Sequence, residues 1–177
     1  MAQFFSEQLH AEAQELQPQL VQWRRDLHRY AESAWTEFRT SYIVAQELAR
    51  LGFTVQSGLE VMDPQAMMGV PSPAVMDRHV QRALDWGVDR QWVETRRHGY
   101  TAVVGLIAAA KPGPTVALRF DMDANDLPEA DHPEHRPAAE GWASVNPGVT
   151  HACGHDAHTA IGLGVARLLA RHAQRLA

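Results

Sequence analysis

Within eight residues, His151-Ala-Cys153-Gly154-His155-Asp156-Ala-His158, the chain places three histidines, an aspartate and its only cysteine. A thiolate and an imidazole two residues apart can both reach one cation, and the glycine between them allows the tight backbone path this needs. Cysteine and histidine are common ligands of zinc-like ions. Asp156 can cap the helix expected to open near His155 or hold a ligand imidazole in place. Two other readings fit the same residues. One is a loop of satisfied polar side chains. The other is a cysteine–histidine nucleophilic pair, although nucleophile and base usually come from distant segments.

A second constellation, Arg119-Phe-Asp121-Met-Asp123, follows an apolar run, Thr115 to Phe120, that reads as a strand. Open α/β sheets place their sites at the carboxyl ends of strands. Asp121 and Asp123 share a face if the strand continues that far, and two carboxylates there suit metal binding or orientation of a ligand. A polar strand terminus fits them equally. The two constellations together predict Cys153 and His155 side by side at the start of the last helix, with Asp121 and Asp123 across a cleft.

The remaining elements follow from periodicity. Leu9, Ala13, Leu16, Leu20, Trp23, Leu27 and Tyr30 recur at steps of four and three, which makes a helical stripe. Pro18 is expected to kink that helix or start a new one. Arg24, Arg25, Asp26 and Arg29 read as its solvated face. A second helix is predicted from about Thr36 to Leu51 with Gly52 as its cap, and a strand near Phe53 to Gln56. The methionine- and proline-rich stretch from Gly58 to Pro73 is less regular, and its methionines suit gap filling more than metal binding. A third helix opens at Ser72-Pro73 and ends near Gly87. Tyr100 to Ala109 reads as a strand that forms a hairpin with Thr115 to Phe120. Asp126 to Pro147 is a long loop. The last helix runs to about Gln174 with Ile161, Val165, Leu168 and Leu169 toward a core, while Gly162 and Gly164 permit close packing.

Composition excludes several classes. The chain has 177 residues, 45% hydrophobic and 21% charged, so it is one globular domain or part of a larger one. A net charge of −5 gives no footprint for nucleic acid or an anionic membrane. No apolar run approaches the ~18 residues of a membrane span. A single cysteine rules out an internal disulfide framework. Met1 to Gln14 lacks the pattern of a secretory signal, so a cytoplasmic location is expected.

The two constellations, together with Trp23-Arg-Arg-Asp-Leu-His28-Arg-Tyr-Ala-Glu32-Ser33, resemble the metal-dependent amidohydrolases of the aminoacylase/carboxypeptidase superfamily. The order and spacing of all three agree, and the likeness covers essentially the whole chain. Within that superfamily, the methionine-rich segment and the helix before Trp92 are similar to the branch that cleaves p-aminobenzoyl-glutamate. The resemblance implies an α/β fold over residues 1–177, the amino-terminal part of a two-metal peptidase-like catalytic domain with helices layered on a mixed sheet. By the same analogy Cys153 and His155 are metal ligands and Asp123 orients one of them. Asp121 stands where other branches carry a ligand histidine. Asp156, His158 and His151 lie behind the ligands or face substrate.

The implied reaction is amide hydrolysis of p-aminobenzoyl-glutamate to p-aminobenzoate and glutamate, by water activated at a divalent metal. Softness of the ligands argues for zinc, and the resemblance points to manganese. A full member of the superfamily continues past Ala177 with a glutamate pair that includes the general base, two further ligand histidines and a lid domain. The chain is therefore expected to be an amino-terminal portion without its lid, inactive alone. It is expected to work with a second hydrolase subunit or as a homo-oligomer. Asn125 and the stretch Glu129 to His135 depart from the family pattern. A non-catalytic chain that keeps the fold's shell and binds a partner is the competing function.

Overall fold

A computed structural model describes residues 2–175, with side chains from Ser6 onward. Six α-helices, α1 (Ala2–Arg29), α2 (Phe38–Arg50), α3 (Pro73–Asp85), α4 (Arg90–Arg96), α5 (Arg136–Ala139) and α6 (His155–His172), accompany two strands, β1 (Thr54–Ser57) and β2 (Val103–Leu106). The α/β class is as expected. Among the described residues the sheet is a two-stranded antiparallel ribbon running from Thr54 opposite Leu106 to Ser57 opposite Val103, and the only parallel pairing is a single bridge from Ser33 to Ala124. No helix among the described residues is long and apolar enough to cross a membrane.

The first and last helices pack along each other. Leu16 and Leu27 of α1 and Leu163 and Ala166 of α6 are buried. Gly164 permits the approach, since a Cβ there would lie 2.7 Å from a methyl of Leu20. Helix α1 is continuous through Pro18. The lost backbone bond is tolerated where the turns on either side, at Leu16 and Leu20, are held by neighbours. Ile161 is half exposed and does not face the core as its position in the apolar run suggested.

A second core forms where Phe38 of α2 meets Met76, Val80 and Ala83 of α3 and Val93 of α4. Helix α2 starts at Phe38 and not at Thr36, because the buried Glu32 carboxylate accepts the free N–H groups of Arg39 (3.1 Å) and Thr40 (2.8 Å). Arg82 reaches Glu32 at 3.4 Å and offsets its charge.

The hairpin predicted for 100–109 and 115–120 does not form. Strand β2 pairs with β1 instead, with Gly105 opposite Val55, and a Cβ at Gly105 would lie 3.0 Å from Leu48 and 3.1 Å from Phe53. Thr115 to Phe120 has no ladder partner among the described residues, and Val116 and Leu118 are exposed. An apolar, β-branched run becomes a strand only when a neighbour accepts its backbone bonds.

Candidate metal centre

Three segments that are distant in sequence meet beneath the centre. The Ala124 N–H donates to the Glu32 carbonyl at 2.7 Å, and Asn125 and Thr150 exchange backbone bonds of 2.9 and 3.0 Å. Ala31, Ala124 and Val149 fill the small core below these bonds. The pairing brings Asp121 and Asp123 to the amino terminus of α6. There Gly154, at φ +79°, makes the left-handed turn that lets His155 begin the helix. The Cys153 N–H donates to Asn125 Oδ1 at 3.1 Å, and Thr159 Oγ1 donates to the Asp121 carbonyl at 3.1 Å. Asn125 thus fixes the turn that carries Cys153.

One atom each from Asp121, His155 and His158 lie within 4.8 Å of one another. The two imidazoles are stacked with centroids 5.2 Å apart. His155 Nδ1 lies 2.9 Å from the Asp123 carbonyl oxygen and 3.1 Å from its Oδ1. Both partners are acceptors, so Nδ1 carries the proton and the Nε2 lone pair is left for a cation. Asp121 Oδ1 accepts from Arg119 at 2.9 Å, and that bond, against a small opposing effect of burial, holds its carboxyl below the ordinary range. An ionised carboxylate and two imidazoles are a donor set that fits zinc or manganese.

The structure sorts the residues singled out in the sequence. Asp121, Asp123, His155 and His158 come together, with the two aspartates and the start of α6 in direct contact and no open cleft between Asp123 and His155. Cys153 is exposed, and its thiol is outside the three-residue group. Asp156 accepts the Ala157 N–H at 2.8 Å in the first turn of α6, in keeping with the capping role, and makes no bond to His155 among the described residues. It is buried and accepts from His28 Nδ1 at 2.9 Å and Arg24 Nε at 3.2 Å. Burial pushes Asp156 up, but the His28 bond, the Ala157 N–H and the charge of Arg24 hold the carboxyl below its ordinary value. His151 is buried beside His28, and burial lowers its pKa to about 4, so it is neutral near pH 7. Neither of its ring nitrogens has a hydrogen-bond partner.

Two residues of this neighbourhood escaped the sequence reading of the site. His28 closes α1 and joins Asp156 to Glu129, whose carboxylate also accepts from His135 at 2.8 Å. The available signal was weak: Arg24 and His28 are one turn apart on one side of α1, next to the buried Leu27. Arg24 in consequence is not part of a purely solvated face.

Residues 117–177 match the model of peptidase family M20/M25/M40. The chain is 47% identical over 162 residues to an indole-3-acetyl-aspartic acid hydrolase of Enterobacter agglomerans, covering 92% of this chain and 37% of that protein. It is 47% identical over 154 residues to one of the named subunits of p-aminobenzoyl-glutamate hydrolase from Escherichia coli strain K12, covering 87% of this chain and 35% of that protein. The crystal structure of an aminobenzoyl-glutamate utilization protein from Klebsiella pneumoniae superposes with a TM-score of 0.74 at 36% identity, covering 94% of this chain and 35% of that one. The likeness to amidohydrolases read from the motifs is therefore found over most of the chain, and the chain spans about a third of the length of these relatives.

Proposed function

We propose that this chain provides part of the catalytic domain of a metal-dependent amidohydrolase that cleaves an acyl–amino acid amide, with p-aminobenzoyl-glutamate as substrate and p-aminobenzoate and glutamate as products. The observation that carries the reading is the meeting of Asp121, His155 and His158 inside the segment that matches a metallopeptidase-like family. The names of the relatives support the substrate class, since they describe hydrolysis of amides to aspartate and to glutamate.

A divalent ion at these donors supplies Lewis acidity toward the amide carbonyl and acidifies water. The chain's own residues prepare for it. Asp123 fixes the His155 tautomer, and Arg119 keeps Asp121 ionised. His158 stacks on His155 and presents a second imidazole. Cys153, exposed one residue before the helix-capping Gly154, is a further ligand in this reading and favours zinc, while the carboxylate favours manganese. Two ions, a cytoplasmic setting and a second hydrolase subunit or second copy of the chain belong to the same proposal. The Escherichia coli relative is named as one subunit of its hydrolase, which supports the partner chain.

Calorimetric titration of the chain with manganese and with zinc tests the proposal. The chain is expected to bind one of them, and His155→Ala to weaken binding by tenfold or more, with a smaller loss for Cys153→Ser. Equal affinity of wild type and His155→Ala would remove the metal centre from this position.

A further inference from the structure

His28 stands between two buried carboxylates on separate segments. Its Nδ1 lies 2.9 Å from Asp156 Oδ2, and its Nε2 lies 2.8 Å from Glu129 Oε1. The side chains are 7%, 0% and 9% exposed for His28, Asp156 and Glu129. Carboxylates only accept, so both ring nitrogens donate and the ring is an imidazolium. Every group around it fits that charge. Arg24 of the same helix reaches Asp156. From the 126–147 loop, His135 and the Ser144 N–H donate to Glu129, and Trp142 meets the His28 ring edge-on with centroids 4.9 Å apart. His151 lies with its centroid 6.1 Å away. The two buried carboxylates thus share the buried His28, and the half-exposed Arg24 adds to Asp156, so that removing His28 would strand buried charge.

Asp156 directly follows His155 and lies two residues before His158, whereas Glu129 belongs to the loop and holds its Ser144 end. His28 touches both. We propose that His28 is a positioning residue that locks the 126–147 loop to the first turn of α6, so that the loop and the metal-holding imidazoles are set by one shared ion network. This deepens the metal-hydrolase reading and rests on it only for the role of His155 and His158.

The test uses the full chain without metal, by nuclear magnetic resonance and amide hydrogen exchange. At pH 7 the wild type is expected to show protons on both His28 ring nitrogens. Glu129→Gln, altered in the loop, is expected to lower exchange protection of the His158 N–H, which donates to the Gly154 carbonyl, by about tenfold. Asp156→Asn, altered in α6, is expected to do the same to the Ser144 and Val145 N–H groups. Glu134→Gln, an exposed carboxylate of the same loop, is the control and should move neither. Effects confined to the mutated segment, or a His28 ring with one proton, overturn the proposal. In titration with whichever of manganese and zinc the wild type binds, Glu129→Gln should bind about tenfold more weakly, and equal affinity overturns the positioning role. A wild-type chain that binds neither metal counts against the hydrolase reading instead, and the metal-free measurements still decide whether His28 joins the two segments.

Discussion

Among the described residues Glu37 forms no ion pair, and Arg82 is the cation whose charge reaches it. It is buried, accepts one bond from Thr101 Oγ1 at 2.8 Å, and has the carboxylates of Glu32 and Asp123 as neighbours. Burial pushes it from an ordinary 4.5 up to about 7, against the bonds it accepts. Between these two values the folded chain keeps a proton that the unfolded chain has released. Stability therefore falls as pH rises from 4.5 to about 7 and is flat above. Glu37→Gln keeps the acceptor for Thr101 and has no proton to lose. It is expected to melt like wild type near pH 4 and to be more stable at pH 8, by about 3 kcal/mol at most. Thermal melts of both proteins at the two pH values check this, and an equal difference at both would sink it. Nothing in the sequence marks Glu37, which the periodicity places in the first turn of a helix beginning near Thr36. Its burial depends on contacts far along the chain, such as the bond from the buried Thr101. The meeting of His155 with Asp123 was legible for a different reason: each lies in a short motif, one after an apolar run and one at a helix start, and the two touch at 2.9 Å.

At the scale of elements, the helices were legible because their apolar positions repeat along one face, and α2, α3 and α6 lie within two residues of where the pattern puts them. The run from Thr115 to Phe120 was misread because strand formation depends on a partner that periodicity cannot supply. Long-range polar pairs were the other hidden layer. Glu12 of α1 accepts from His172 Nε2 at 2.8 Å and Arg171 at 3.1 Å, and so ties the amino-terminal part of α1 to the end of α6. The bond from His172 lowers the Glu12 carboxyl from 4.5 to about 2, with burial opposing it. For a carboxyl lowered in this way, the stability it contributes is complete above 4.5 and disappears as pH falls through about 2. Glu12→Gln is expected to lower the melting temperature at pH 7 and to converge on wild type near pH 2. A constant gap from pH 7 to pH 2 would mean that the pair contributes through packing alone.

For the whole molecule, the question is whether this set of residues can turn over an amide. Hydrolysis needs an activated water, a base to take its proton and a hold on the substrate. The carboxylates near the three-residue group are already engaged: Asp121 with Arg119, Asp123 with His155, and Asp156 with His28 and Arg24. His151 is neutral but buried away from solvent, and His158 faces Asp121 at 3.7 Å as one of the candidate metal donors. Glu37, the neighbour of Asp123, is buried and bonded to Thr101. Among the described residues, then, the centre has donors for a cation and no carboxylate both accessible and unengaged to act as base. A positioned base contributes about 10²–10⁴-fold to such a reaction. The 177-residue chain, loaded with manganese or zinc, is accordingly expected to hydrolyse p-aminobenzoyl-glutamate no faster than its own His155→Ala variant. Release of p-aminobenzoate, followed by absorbance over hours at high chain concentration, makes the comparison. Turnover well above that control, increasing with the square of chain concentration, would show that a second copy supplies the missing base. Turnover linear in concentration would show that one of the engaged carboxylates is freed when metal and substrate bind, and Asp123→Asn and Asp121→Asn would then identify which.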